Sequence, residues 1–188
     1  MSSTSAPFGL RPAFNRSGVI RPEALTITSG YAANILQYQP VKIVPSSTGE
    51  GTIAAAAAGD RFIGTFMGVE WTDTDGRRRV SNKWTTGTVG TDIICYVTRD
   101  PSIVYEIQTD AAITVDKIGG QYDFTAAGTG STVTGLSAMM LGISTAAANA
   151  GMQVLNIAPS PSNAWGDTYV IVQVRISEHQ EVADVAGY

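Results

Sequence analysis

Thr168-Tyr169-Val170-Ile171-Val172-Gln173-Val174-Arg175-Ile176 is the stretch that decides the fold. Val170, Val172, Val174 and Ile176 fall at every second position, with Tyr169, Ile171, Gln173 and Arg175 between them. An extended chain sends alternate side chains to opposite faces, so this pattern predicts a β-strand with one aliphatic face. A helix would scatter the same four residues around its circumference.

The same grammar runs backwards through the chain. Leu25 and Ile27 alternate with Thr26 and Thr28 until Ser29-Gly30 breaks the run, and Val41 to Val44 ends at Pro45 and a Ser-Ser-Thr-Gly loop at 46–49. Ala54 to Ala58, between Gly51 and Gly59, is too short to nucleate a helix and predicts a tightly packed strand or turn. Phe62 to Trp84 reads as a hairpin about Asp73-Thr74-Asp75-Gly76. Its Asp-Gly pair predicts a two-residue turn with positive φ at both central positions, and Gly64 and Gly68 predict bulges or close backbone approach. Ile93 to Val97 and Ile103 to Ile107 read as a second strand pair, joined by the turn Arg99-Asp100-Pro101-Ser102. Residues 126–135 read as a long loop, Ala138 to Ile143 as a short strand, 144–151 as a connector and Met152 to Ile157 as another strand. Short strands spaced near ten residues apart, without a long amphipathic helix, predict a mainly β single domain, a β-sandwich or barrel-like body.

Three regions follow: an extended N-terminal arm at 1–22, the β domain at 23–176, and a polar, acidic C-terminal tail at 177–188 with Val182 and Val185 as its main aliphatic side chains. Pro7, Pro12 and Pro22 deny the arm a helix or a central strand. Yet it carries Phe8, Leu10, Phe14, Val19 and Ile20, which with Arg11 are the candidate contact residues. Either these side chains tuck back onto the parent domain or they dock on a neighbour. Burying each large apolar side chain yields about 1.5–3 kcal/mol, comparable with about 1–2 kcal/mol lost per ordered backbone residue. The arm is therefore expected to be mobile alone and ordered when a groove receives it.

Composition narrows the function. Among 188 residues, charged ones make up only 15%, and twelve basic against sixteen acidic give a net charge of −4. That leaves no electrostatic footprint for nucleic acid or anionic lipid; Arg77-Arg78-Arg79 is too short a cluster, and its arginines are expected to pair with Glu70, Asp73 or Asp75. No run approaches the ~20 apolar residues of a membrane span, and the N-terminus lacks the pattern of a secretory signal, so a soluble protein made in a cytoplasm is expected.

Chemistry-bearing residues are few. His179 is the one histidine, expected in solvent past the last strand, and Cys95 is the one cysteine, expected as a buried thiol without an activating base. Asp73-x-Asp75-Gly76 opens like a calcium loop, but Arg77 and Arg79 stand where further ligands belong. The glycines at 128, 130 and 135 lack the Gly-Lys-Ser/Thr of a phosphate loop. Asn15-Arg16-Ser17 is formally a glycosylation sequon, and without a secretory signal it is given no weight. Trp71, Trp84 and Trp165 are expected in cores or interfaces, with a sugar-binding face as the alternative. No catalytic set, metal site or cofactor is legible, and an enzyme is not expected.

Several segments together resemble the head decoration, or capsid cement, proteins of tailed bacteriophages. They are Ala6-Pro7-Phe8-Gly9-Leu10-Arg11-Pro12, Asp60-Arg61-Phe62-Ile63-Gly64, Gly68-Val69-Glu70-Trp71-Thr72-Asp73, Asp100 to Gln108, Asn163-Ala164-Trp165-Gly166-Asp167 and Val174-Arg175-Ile176. The resemblance implies a small β protein bound repeatedly to the outer surface of a phage capsid lattice in the virion. Its partners would be the major capsid protein and itself, as a homo-oligomer with a trimer favoured over a dimer. Under that resemblance Phe8, Leu10, Arg11, Phe14, Val19 and Ile20 become the expected capsid or subunit contacts. A tail or head-fibre component and a carbohydrate-binding β module are the alternatives.

Overall fold

The computed structural model describes residues 2–45, 51–125 and 128–182. The loop at 46–49, Ala126 and Val185 lie outside the described residues. In chain order the strands are β1 Arg11–Asn15, β2 Pro22–Leu25, β3 Ile35–Leu36, β4 Pro40–Val44, β5 Thr52–Ala55, β6 Gly64–Thr72, β7 Arg78–Ser81 and β8 Lys83–Trp84. There follow β9 Thr91–Thr98, β10 Ile103–Gln108, β11 Gln121–Tyr122, β12 Phe124–Thr125, β13 Gly130–Ser131, β14 Leu136–Ser137, β15 Met140–Leu141, β16 Met152–Ile157 and β17 Ile171–Ile176. Among the described residues helical structure is confined to two short 3-10 turns, Val115–Lys117 and Ile143–Thr145. The fold is mainly β and sandwich-like, built from antiparallel sheets.

A five-stranded sheet runs in the order β1-β10-β17-β16-β11. The deciding stretch occupies its centre: Val170, Val172, Val174 and Ile176 are buried, whereas Ile171, Gln173 and Arg175 are half-buried on the opposite face. That inner face packs on Phe62, Phe124, Leu141 and Met152, forming a first core.

The second sheet, β2-β9-β6-β4-β5 with β7 on the flank of β6, curls. Just past β2, Thr26 bridges Thr52 of β5, and the Ile53 amide donates to the Thr26 carbonyl at 2.9 Å. The two outer strands thereby meet and the sheet closes into a small barrel. Its interior holds the second core: Ile53, Phe66, Val69, Cys95 and Val97, with Trp84 of the β3-β8 ribbon as a plug.

One of the junctions between the two bodies lies at the start of β6. Gly64 opens β6 so close to β9 that a Cβ on it would lie 1.5 Å from the Thr98 carbonyl oxygen. Beside it the buried hydroxyls of Thr65 and Thr98 lie 2.8 Å apart, and the Tyr105 hydroxyl reaches over from the five-stranded sheet to the Thr98 carbonyl at 3.3 Å. Close approach at Gly64 was expected; the bulge near Gly68 is present as a register shift between Phe66 and Gly68 against β9.

Several expectations are corrected. Arg99 to Ser102 does not close a hairpin: β9 belongs to the barrel and β10 to the five-stranded sheet, so this turn crosses between them. Pro101 and the Asp100 carboxylate, which accepts the Ser102 amide at 2.8 Å, shape a corner as readily as a hairpin. The β6-β7 turn is longer than two residues. Gly76 donates to the Asp73 carbonyl and Asp73 to the Arg77 carbonyl, both at 2.9 Å, and only Gly76 takes positive φ, at 75°. The stretch around 128–137 is not all loop, since β13 pairs with β14. His179 is not solvated and the tail is not free from its start: Ser177 and His179 are each 1% exposed, and His179 bridges to Phe62.

Candidate functional site

Residues 2 to 22 are not a loose arm, because four separate contacts tie them down. Ser2 is buried; its hydroxyl donates to Asp167, and its carbonyl accepts the Tyr169 amide at 2.7 Å. The Ala6 amide donates to Gln108 Oε1 at 2.8 Å, while Gln108 Nε2 donates to the Thr4 carbonyl at 3.0 Å. Gly9, at φ 78°, lets Leu10 donate to the Tyr38 carbonyl at 2.8 Å. Beyond it β1 pairs along β10, with the register shifting between Pro12 and Phe14. Pro12 is tolerated there because β1 is an edge strand, where a missing donor leaves no neighbour unpaired. The arm tucks back onto its own domain.

The six predicted contact residues therefore separate. Leu10 is fully buried in the first core, and the half-buried Ile20 packs against it. Arg11 pairs with Glu106 at 2.6 Å, its guanidinium 4.6 Å from the centroid of the half-buried Phe8 ring. Phe14 and Val19 remain at the surface, 43% and 66% exposed. Phe14 stands opposite Val104 in the β1-β10 register, on the solvent face of the five-stranded sheet.

A second apolar surface was not anticipated. On the outside of the barrel, Pro22, Met67, Val80 and Tyr96 line an open groove of about 400 Å3. Val80 is 78% exposed, although it sits opposite Glu70 in the β6-β7 pair. The Tyr96 hydroxyl donates to Glu70 Oε1 at 2.8 Å, and Arg78 pairs with the same carboxylate at 3.2 Å. The Tyr96 bond and the Arg78 cation together hold the Glu70 carboxyl below its ordinary value and fix the rim of the groove. The alternation of Tyr96 with Cys95 and Val97 in β9 was the available signal for this outward ring.

The reactive side chains are placed as parts of the framework. Cys95 is fully buried in the barrel, and desolvation pushes its thiol up to about 12. His179 Nε2 lies 2.9 Å from the Ile63 carbonyl and 3.0 Å from that of Arg99, so the ring acts as a clamp. Asp73 accepts the Thr74 amide at 2.7 Å and meets Arg79 at 3.3 Å, which occupies it as a turn residue. Among the described residues no three His, Cys, Asp or Glu side chains gather as a metal site. Trp71 and Trp84 stack edge to face at 5.6 Å against the second core, while Trp165 packs on the first. The three tryptophans share no face. Asn15, of the formal sequon, is 5% exposed and donates to Asp100 at 2.6 Å. Among the described residues no helix is long and apolar enough to cross a membrane.

Comparison with protein-family models, with curated proteins and with solved structures returns no match for this chain.

Proposed function

We propose that this chain is a virion structural protein that binds the outer surface of a tailed-phage capsid lattice as a homo-oligomer, a trimer in preference to a dimer, and stabilises the assembled shell. The observation that carries the proposal is the exposure of Phe14 and Val19 on a segment otherwise tied to the body. A contact surface held in place before binding loses little conformational entropy on docking, so a modest apolar area suffices when many copies bind one lattice. The segments that carry the resemblance support the same reading. They form the start of β1, the approach to β6, the second half of β6, the crossover into β10, the anchor for Ser2 and the end of the central strand β17. Preferential binding to the assembled lattice stabilises that state by linkage.

Cryo-electron microscopy of purified virions, with and without this protein, tests the proposal. Repeated density on the outer shell, lost from virions lacking the chain, is expected. Phe14→Ala with Val19→Ser should lower occupancy at limiting protein without unfolding the domain. Virions with no such density would overturn the proposal, and analytical ultracentrifugation of the free protein tests the trimer.

A further inference from the structure

On the face that presents Phe14, a pocket of about 180 Å3 opens between the crossover, β16 and β17. Arg16, Pro101, Ser102, Val104, Leu155 and Arg175 line it. Six of the chain's other cations, Arg11, Lys42, Arg78, Arg79, Arg99 and Lys117, each meet a carboxylate. The two arginines of the pocket meet none among the described residues. Arg175 Nε donates to the Gln153 amide oxygen at 2.9 Å, leaving its remaining donors without a carboxylate. Asp100, the nearest acid in sequence, is committed elsewhere: Asn15 Nδ2 lies 2.6 Å from Oδ2, and the Ser102 amide 2.8 Å from Oδ1. Two guanidiniums without a carboxylate partner thus share one cavity in a chain of net charge −4.

We infer that this pocket receives a carboxylate side chain of a neighbouring protein subunit, with the exposed Phe14 ring, opposite Val104, as the apolar flank of the same contact. The inference rests on the proposed function only for the identity of the neighbour. Charge complementarity selects the occupant: planar guanidinium forks match a carboxylate in geometry, and the bonds they form to it are charge-assisted. Size agrees. Pockets for free organic ligands start near 300 Å3, whereas this one suits the end of a single side chain, and Val104 and Leu155 supply the apolar wall that a side-chain stem would touch.

The test is a nuclear magnetic resonance titration of the full chain, following the Nε resonances of Arg16 and Arg175 and the Ser102 amide. The probes are N-acetyl-glutamate methylamide, N-acetyl-glutamine methylamide and inorganic phosphate. Saturable shifts at all three positions are expected with the glutamate probe, with affinity at least about tenfold weaker for the glutamine probe. Arg16→Gln, at an exposed position, and Arg175→Gln should each abolish saturation. An absent response to glutamate, an equal response to glutamine, or phosphate binding as tightly as glutamate would each overturn the inference. Virion co-sedimentation separates the two proposals. If R16Q/R175Q decorates virions with unchanged affinity, the carboxylate site falls and the decoration function stands. If the glutamate probe binds yet the chain never associates with virions, the function falls and the site stands.

Discussion

The imidazole of His179 binds the backbone of Ile63, a residue 116 positions earlier in the chain, across a buried Nε2–oxygen distance of 2.9 Å. Its Nδ1 accepts the Glu181 amide at 3.2 Å, so Nε2 carries the hydrogen that points toward the Ile63 and Arg99 carbonyls. One ring thus joins the end of β17, the approach to β6 and the crossover.

Removing that ring strands polar groups inside the protein. His179→Ala should cost about 1–3 kcal/mol, the penalty of leaving buried donors and acceptors unpaired. Urea denaturation followed by tryptophan fluorescence reads it. An unchanged midpoint would mean that the segment after β17 hangs loosely on the body.

The N-terminal residues should divide by burial. Leu10→Ala should cost about 2–5 kcal/mol as a core truncation, whereas Phe14→Ala and Val19→Ser should stay within about 0.5 kcal/mol. Deleting residues 2–20 removes β1 and Leu10 together and should leave a chain that unfolds at much lower denaturant than wild type. A truncated chain as stable as the intact one would show that these residues are an appendage after all.

How far the sequence carried the fold depends on how local each signal was. The strand at Val170 to Ile176 was legible because period two is written in the residues themselves. The crossover at Asp100-Pro101 was not, because the same turn chemistry serves a hairpin within one sheet and a corner between two. The arm misled for a related reason: its prolines argue against central strands, but β1 lies at an edge, where they cost little. Of the six contact residues proposed, Phe14 and Val19 are at the surface. Leu10 could not be told from them without knowing that Gly9 turns the chain beneath Tyr38. His179 looked idle because its partners lie far away in sequence.

Gly64 should tolerate no side chain. A Cβ there would meet the backbone oxygen of Thr98, which cannot swing aside as a side chain can. Gly64→Ala should therefore cost more than the about 1–3 kcal/mol typical of overpacking, and yield little soluble protein. Gly76→Ala is the control: its Cβ would meet open space, and only the positive φ opposes it, for about 1 kcal/mol. Equal yields and melting temperatures for both variants would sink the account of the junction.

Cys95 should be silent to thiol reagents while the barrel is closed. Burial raises its thiol to about 12, and the side chain is fully inaccessible. At pH 8, labelling by a disulfide reagent should be slow in native protein and complete within minutes in denaturant. Fast native labelling would mean that the barrel opens readily, and the isolated bridge between Thr26 and Thr52 is the seam to test first.

The strand order has a consequence for how the chain is made. All strands of the barrel lie between Pro22 and Thr98, so this half can close while the rest is still being synthesised. The five-stranded sheet cannot. Its central member β17 is the last strand of the described chain, and it must enter between β10 and β16, both made earlier. Until Ile176 has left the ribosome, β10 and β16 each wait with one edge unpaired and the first core open. A ribosome that stalls late, or a chain clipped before Ile171, would release a finished barrel joined to two exposed strand edges, the kind of surface that pairs with other chains.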